Sequence, residues 1–427
     1  MVSQDPLLSP RLATLRQALL VGDSHALEQF WHEVAAHSTP LVEPIQNDKH
    51  HVLVTFLWRA TAAVTNVVVV GGLARWGEFS QQQMIRLLDT DVWFKTYSAR
   101  TDLRATYQLS PNDSLVDASD VTDWAARTAT WQTDPLNPHT YTFPPADADP
   151  NATGRVVSML ELRAAPPQPW ITPRQGVPAG QVERHRLHSA ILSNEHDVWI
   201  YTPPAYTSGG QPYGLLILFD GSAYTRMIPT PTILDNLLAA GQLPPLVALL
   251  LDSPDQETRN RELTCYPPFC DFLAQEFLPW ARQHYHITSD PARTIIGGSS
   301  FGGLAAAFAG LRHPELFGNV LSQSGTFWWY PGFTFWSTPA DARENEWLAR
   351  QFVARPRLAL RFYLDVGLLE RGSTVINLPD QVDANRRMRN ILQTKGYVVH
   401  YVEFYGGHEY LCWRGTLADG LLALTDS

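Results

Sequence analysis

After residue 190, short apolar runs alternate with segments of helical periodicity, and few folds accommodate this order. Apolar strands joined by crossover helices predict a largely parallel sheet flanked by helices. The clearest helical segments are residues 269–285 and 302–312. The predicted strands are residues 197–201, 215–219, 246–251, 294–296, 319–322, 358–365 and 398–404.

The residues before this region have a different pattern. Residues 51–162 contain short alternating strands separated by Gly, Asn, Asp and Pro turns, which is typical of a β-sandwich. Residues 10–36 have helical spacing and predict one or two helices packed on that sandwich. The proline-rich residues 164–173 are typical of an exposed, extended linker. For a chain of 427 residues we predict three segments: a β-sandwich domain in 1–165, a linker in 166–190 and an α/β domain in 191–427.

The composition limits the classes of function. Hydrophobic residues make up 44% and charged residues 17%, which is enough for a large buried core. The net charge of -10 disfavours non-specific binding to nucleic acid, and no apolar run approaches the roughly 20 residues of a membrane-spanning helix. The N-terminus lacks a secretory pattern, so we expect a cytoplasmic protein. The three cysteines have no metal-ligand spacing, and we expect them to be reduced.

Residues 294–303 combine an apolar strand, a Gly-x-Ser-x-Gly turn and an Ala-rich helix. This combination is the nucleophile elbow of α/β-hydrolases. Glycine is needed on both sides of the serine because the serine backbone is strained and its neighbours are crowded. We therefore predict an α/β-hydrolase with Ser300 as its nucleophile.

The oxyanion of an acyl-transfer reaction needs backbone donors beside the nucleophile. The N–H of Phe301 is the first candidate, since it directly follows the serine. The second donor should follow an earlier strand, and the amides of Gly221 and Ser222 are candidates there. We expect Asp220 to cap this turn with its side chain.

Chain order selects the general base among 14 histidines. In α/β-hydrolases the histidine follows the last strand, and His408 lies after the predicted strand 398–404 in a glycine-containing loop. His313 lies at a helix end and His400 lies inside a strand, so both are expected to be structural.

The orienting carboxylate of the triad should follow the predicted strand 358–365. Three acidic residues fit that position. We rank Glu370 first because a glycine-containing turn can carry it towards His408, with Asp380 second and Asp365 third.

Motifs in both halves of the chain recur in one known family. In the second half they are Asp220-Gly221 and residues 259–263, 298–303, 322–329 and 406–415. In the first half they are residues 88–94, Tyr107 and residues 134–138. Over most of its length the chain resembles the enterochelin (enterobactin) esterases. It departs from that family at Ser299, where glutamine is common, and at Glu409, where aspartate is common; neither departure removes a catalytic role.

The resemblance implies hydrolysis of the trilactone of ferric enterobactin or a related catecholate siderophore. Ser300 would attack a lactone carbonyl, and His408 would take its proton and pass it to the leaving alkoxide. No metal or cofactor is implied for the enzyme, because iron enters only as part of the substrate. The ferric complex is anionic and aromatic, so a basic and aromatic rim is expected. The candidate substrate-binding residues are Arg259, Arg261, Arg414, Tyr224, Trp328, Trp329 and Trp413.

Two alternative functions stay open at this point. The N-terminal sandwich is similar to carbohydrate-binding modules, which allows a feruloyl or acetyl-xylan esterase. A siderophore-binding protein without catalytic activity is the second alternative, although the intact Ser300 and His408 argue against it. The oligomeric state is not indicated by the sequence.

Overall fold

The computed structural model describes residues 9–144, 154–333, 345–372 and 379–425. The chain forms two compact units. The first contains the residues up to Pro166 and the late segment Tyr405–Glu409. The second contains Pro167–Gly372, Pro379–Phe404 and Tyr410–Ser427.

The first unit opens with two helices, which are followed by two antiparallel sheets. The helices are α1 (Pro10–Leu20) and α2 (Ala26–His37). The strands are β1 (Leu41–Ile45), β2 (Asp48–Arg59), β3 (Val67–Gly71), β4 (Ile85–Arg86), β5 (Val92–Arg100), β6 (Arg104–Pro111), β7 (Thr140–Phe143) and β8 (Arg155–Glu161). A short helix, α3 (Trp124–Thr128), lies between β6 and β7. The sheets have the strand orders β1-β2-β5-β4 and β3-β6-β8-β7.

Helix α1 begins where its sequence supplies a cap. Ser9 Oγ accepts the Leu12 N–H at 3.0 Å, and Pro10 follows in the first turn, where proline costs no hydrogen bond. Both helices bury one apolar stripe in a cluster that includes Leu57 of β2 and Phe94 of β5. The helices are therefore held by the sheet β1-β2-β5-β4.

A buried polar cluster lies in the core of the first unit. Asp134, which is 1% exposed, accepts hydrogen bonds from Thr39 Oγ1 at 2.7 Å and from the Tyr107 hydroxyl at 2.8 Å. Asn137 Nδ2 donates to the same hydroxyl, and the Tyr107 ring packs edge-on against Phe56 at 4.7 Å between centroids. Burial raises the pKa of Asp134, and the hydrogen bonds partly offset that effect. Tyr107 of β6 thus links both sheets to this cluster.

We predict that Tyr107→Phe lowers the free energy of unfolding by about 1–2 kcal/mol, because the buried Asp134 carboxyl loses a donor that water cannot replace. Urea unfolding measures this change. Tyr285→Phe is the control, since the Tyr285 hydroxyl lies nearer the surface, 3.4 Å from Glu183 and 3.1 Å from His185, where water can replace its contacts. Equal losses in the two variants would contradict the prediction.

The second unit is built on one eight-stranded sheet. Its strands are β9 (Gln181–Ser189), β10 (Asn194–Thr202), β11 (Gly214–Phe219), β12 (Leu246–Leu251), β13 (Thr294–Ser299), β14 (Asn319–Gln323), β15 (Arg361–Gly367) and β16 (Val398–Phe404). Their order is β16-β15-β14-β13-β11-β12-β10-β9. Strands β11 to β16 are parallel, and β9 and β10 form an antiparallel edge. Strands β11, β12 and β13 are buried along their whole length, as expected for a sheet covered on both faces.

Helices connect the parallel strands of this sheet. They are α4 (Gly221–Arg226), α5 (Thr230–Ala239), α6 (Gln256–Glu262), α7 (Pro267–Phe272), α8 (Leu278–His284), α9 (Phe301–Arg312), α10 (Trp347–Ala354), α11 (Gln381–Thr394) and α12 (Tyr410–Thr425). A π-helical turn, Leu273–Phe277, joins α7 to α8. Helix α9, which follows the central strand β13, is almost entirely buried.

The fold class predicted from the sequence is confirmed, and all seven predicted strands are present. Their ends differ from the prediction by at most three residues; β15, for example, begins at Arg361 and not at residue 358. The predicted linker 166–190 is wrong in its second half, because Gln181–Ser189 forms β9 and pairs with β10. This edge strand is polar and mostly exposed, so it lacks the apolar run that identified the other strands.

Candidate active site

Ser300 lies at the sharp turn between β13 and α9. Its backbone has φ 58° and ψ −121°, a conformation that is costly for a residue with a Cβ. Two main-chain hydrogen bonds hold it: the Ser300 N–H donates to the Gln323 carbonyl at 2.9 Å, and the Thr326 N–H donates to the Ser300 carbonyl at 3.1 Å. The Ser300 hydroxyl lies 3.3 Å from Thr326 Oγ1 and is half-buried. The predicted elbow conformation is therefore present.

Crowding requires glycine at position 298 of the elbow. A Cβ on Gly298 would lie 2.9 Å from the Gly302 Cα, so a side chain there would force the main chain to move, whereas a Cβ on Gly302 would make only ordinary contacts of 3.4 Å or more. The close approach of the two segments of the elbow therefore depends on the missing Cβ of Gly298.

The predicted oxyanion donors differ in their surroundings. Phe301 is the first residue of α9, so its amide belongs to the N-terminal end of that helix. Gly221 begins α4 directly after β11, and a Cβ there would meet the Leu250 carbonyl. The Ser222 N–H donates to Asp252 Oδ2 at 3.3 Å. Of the two loop candidates, this geometry favours Gly221.

Arg259 forms a two-pronged ion pair with Asp220. Its Nε lies 2.5 Å from Asp220 Oδ1 and its Nη2 lies 2.7 Å from Oδ2. Burial alone would lower the pKa of Arg259, but the Asp220 carboxylate outweighs burial and the pKa is raised. The guanidinium also lies 5.8 Å from the centre of the Phe301 ring. The guanidinium of Arg259 was predicted to contact substrate. In this structure its charge is balanced by the Asp220 carboxylate beside the elbow.

The expectation that the Asp220 side chain caps the turn is wrong. Asp220 does occupy the N-cap position of α4, with φ 59°, but its carboxylate makes no capping hydrogen bond. Both oxygens are engaged by Arg259, because a bidentate guanidinium contact is stronger than a bond to a backbone amide.

Glu370, the first-ranked acid, is held in a buried position after β15. Its Oε1 accepts the Ser324 hydroxyl at 2.6 Å and the Gly367 N–H at 2.7 Å. The residue is 8% exposed. These two donors on one oxygen hold the carboxylate in place.

The two other acid candidates have different environments. Asp365 is completely buried, and burial raises its pKa to about 8, with the Glu370 charge adding to the effect. Asp380 caps helix α11 by accepting the Asp383 N–H at 2.8 Å, and it lies 3.5 Å from Arg371. A carboxyl that is protonated near neutral pH and one that serves as a helix cap are poorer orienting groups than Glu370.

His408 lies in Tyr405–Glu409, the late segment that belongs to the first unit. The Tyr405 carbonyl accepts the Arg104 N–H at 3.1 Å. The Glu409 carboxylate accepts the Thr106 N–H at 3.0 Å and the Thr106 hydroxyl. His408 itself is exposed between these two anchors. Strand β6 of the first unit therefore holds the loop that carries the predicted base.

The remaining arginine candidates make polar contacts of their own. Arg261 is exposed and lies 3.3 Å from Glu262. Arg414 Nε donates to Gln168 Oε1 at 2.8 Å. Their roles towards a substrate stay predictions.

The four aromatic candidates are buried, and the prediction that they offer ring faces to a substrate is wrong for this structure. Tyr224 is fully buried, and its hydroxyl donates to Gln323 Oε1 at 2.7 Å. Trp413 is 3% exposed and donates from Nε1 to Ser324 Oγ. Trp328 and Trp329 are 5% and 8% exposed. Their motifs identify the region of the active site, whereas their side chains pack into the core.

The residues at the end of β14 and directly after it had no predicted role. Gln323, Ser324 and Thr326 contact the nucleophile turn or the acid candidate, as the distances above show. The detectable signal is their position: β14 runs parallel to β13 with Gln323 opposite Ser299, so the residues after both strands meet at one sheet edge.

No group of three or more His, Cys, Asp and Glu side chains in the described ranges could hold a metal ion. No helix within those ranges is both long and apolar enough to cross a membrane.

Comparisons with known proteins identify relatives of the whole chain. A family model named Esterase matches residues 189–424, and the model "Enterochelin esterase, N-terminal" matches residues 53–171. The iron(III) enterobactin esterase of Dickeya dadantii is 32% identical, with 96% of this chain and 94% of the relative covered. The iron(III) salmochelin esterase of Escherichia coli O6:H1 is 28% identical, with 96% of each chain covered. The crystal structure of the Shigella flexneri enterobactin esterase in the presence of enterobactin has a TM-score of 0.69 at 28% identity, covering 93% of this chain and 97% of that one.

We predict that Arg259→Gln lowers the free energy of unfolding by about 2–3 kcal/mol, because it leaves the Asp220 carboxylate buried without its cation. Adding Asp220→Asn should restore part of the loss, which thermal or urea unfolding measures. Arg261→Gln is the matched control, with an expected change of about 0.5 kcal/mol or less for an exposed ion pair. If Arg259→Gln were fully stable and only raised KM, a direct substrate contact would be the better explanation.

We predict that Asp365→Asn stabilises the fold increasingly as the pH rises. Because the folded-state pKa of Asp365, about 8, lies above its ordinary 3.8, the folded state binds this proton more tightly than the unfolded state does. Wild type therefore loses stability between about pH 4 and pH 8, by up to ~1.4 kcal/mol per pH unit, and the variant lacks this loss. Urea unfolding at pH 5 and pH 8 tests the difference; a constant difference between the two proteins would contradict it.

Proposed function

The chain belongs to the enterochelin esterase family, and we propose that it hydrolyses the ester bonds of a ferric catecholate siderophore with Ser300 as nucleophile and His408 as base. Its enzyme class is carboxylic ester hydrolase. The observation that carries the proposal is the strained Ser300 backbone held between Gln323 and Thr326 at the end of β13.

The proposed reaction has two acyl-transfer steps. Ser300 Oγ attacks the lactone carbonyl carbon as His408 removes its proton, and the oxyanion forms beside the amides of Phe301 and Gly221. The carbonyl–oxygen bond then breaks, and His408 returns the proton to the leaving alkoxide. In the second step His408 deprotonates water, which attacks the acyl-enzyme and releases Ser300. We assign Glu370 the task of orienting the His408 imidazole.

The substrate class is proposed from the relatives. One is named an iron(III) enterobactin esterase and another an iron(III) salmochelin esterase, and a structural relative was studied in the presence of enterobactin. Iron belongs to the substrate in this proposal, so the protein contributes only acyl-transfer chemistry. Once its backbone is cut, the ligand holds iron less tightly, which favours intracellular reduction and release.

We also propose a cytoplasmic location. Cys265, Cys270 and Cys412 are all free and buried. Free thiols are the usual state in a reducing compartment. The three free thiols therefore support this location.

We predict that Ser300→Ala and His408→Gln each lower kcat on ferric enterobactin by about 10³-fold or more, because each removes a group that bonds or moves a proton in the transition state. Chromatography of linear trimer, dimer and monomer measures the reaction. Ser208→Ala is the matched serine control, since Ser208 is exposed in a loop.

The same assay decides between substrate classes. Wild type should cleave ferric enterobactin, and its glucosylated form or another trilactone can then be ranked by kcat/KM. An enzyme that left every trilactone intact but cleaved feruloyl esters in a Ser300-dependent way would refute the substrate and keep the chemistry.

A further inference from the structure

Ser324 lies directly after β14 and is completely buried with φ 48°. Its N–H donates to the Asp365 carbonyl at 2.9 Å and to Asp365 Oδ1 at 3.1 Å. Its carbonyl accepts the Gln381 side-chain amide. These main-chain bonds fix Ser324 independently of its hydroxyl, so the hydroxyl can have a separate function.

The direction of the Ser324 hydroxyl bond follows from its neighbours. Trp413 Nε1 lies 3.0 Å from Ser324 Oγ, and an indole N–H can only donate. Ser324 Oγ therefore accepts from Trp413, and its one proton is available for the second neighbour. That neighbour is Glu370 Oε1, at 2.6 Å. The two hydrogen bonds therefore have the same direction: the Trp413 N–H donates to the Ser324 hydroxyl, and that hydroxyl donates to the Glu370 carboxylate.

A backbone donor shares this oxygen with the Ser324 hydroxyl. The Gly367 N–H donates to the same Oε1 at 2.7 Å, and the Glu370 carbonyl accepts the Gln381 N–H at 3.2 Å. Removing the Ser324 hydroxyl takes away one of these two donors to Oε1. A carboxylate can rotate about a single hydrogen bond, whereas two donors from different directions define its plane.

We propose that Ser324 is a positioning residue, which holds the Glu370 carboxylate in the plane needed to orient the catalytic base. The inference rests on the proposed function, in which Glu370 orients His408. Ser324 is not a catalytic residue, since it acts only through Glu370.

The same turn also holds the nucleophile. The Ser300 N–H donates to the carbonyl of Gln323, the residue before Ser324, and the Thr326 N–H donates to the Ser300 carbonyl. Residues 323–326 thus connect the nucleophile to the acid through four consecutive positions. A change that removes only the Ser324 hydroxyl keeps these main-chain bonds and separates the two effects.

The test is a double-mutant cycle on ferric enterobactin hydrolysis with Ser324→Ala, Glu370→Gln and the double variant. Ser324→Ala should lower kcat by about 10- to 100-fold with KM changed by about threefold or less, because it misorients a group used in the transition state. In the Glu370→Gln background Ser324→Ala should lower kcat by about twofold or less, since the carboxylate that Ser324 positions is already absent. Ser324→Gly repeats the test with a residue that tolerates φ 48°.

Each result points to a distinct conclusion. An Ala or Gly variant that keeps wild-type kcat, or one whose loss is undiminished in the Glu370→Gln background, overturns the positioning role. If Glu370→Gln itself keeps wild-type activity, Glu370 is not the orienting acid, and the positioning role of Ser324 is overturned as well. The esterase mechanism is tested separately by the Ser300→Ala and His408→Gln variants. Near-UV circular dichroism and unfolding midpoints show that each variant compared is folded.

Discussion

The hydrogen bond from the Ser300 amide to the Gln323 carbonyl joins two turns that would otherwise be independent. A serine at φ 58° stores on the order of 1–3 kcal/mol of strain, and such a conformation persists only when the surrounding structure fixes it. The parallel register of β13 and β14, with Ser299 opposite Gln323, places the two turns side by side. Close packing of Gly298 against Gly302 completes the constraint. The nucleophile turn is thus fixed before any substrate binds, as electrostatic stabilisation of a transition state requires.

Environment gives different properties to carboxyl groups that are close in sequence. Asp365 lies inside the sheet, where burial favours its neutral form, while Glu370 accepts hydrogen bonds from the Ser324 hydroxyl and the Gly367 N–H. Asp220 is neutralised by Arg259 across a loop, so the pair places no net charge beside the elbow. An anionic siderophore would therefore be attracted by cations other than Arg259, whose charge is balanced by Asp220.

The sequence predicts those parts of the structure that depend on short-range patterns. Strands β12 and β16 were predicted with their observed ends, because apolar runs bounded by turn residues define them. The elbow was predicted because strain and crowding permit few residue types. Tyr224 and Trp413 were misjudged because a motif shows that a region is important but not which side of the chain faces the core. Strand β9 was missed because it is polar and mostly exposed, and the contact between Ser324 and Glu370 was missed because the two residues are 46 positions apart in sequence.

The late segment Tyr405–Glu409 belongs to the first unit, although almost all of the second unit precedes it in the chain. During synthesis, Thr106 can therefore form its hydrogen bond to Glu409 only after the ribosome has passed residue 409. A fragment ending at the proline-rich boundary would lack that carboxylate, so the first unit is not a self-contained piece of contiguous sequence. Cutting the gene at the apparent linker divides one structural unit, and the order of translation places completion of the first unit after the synthesis of strands β9 to β16.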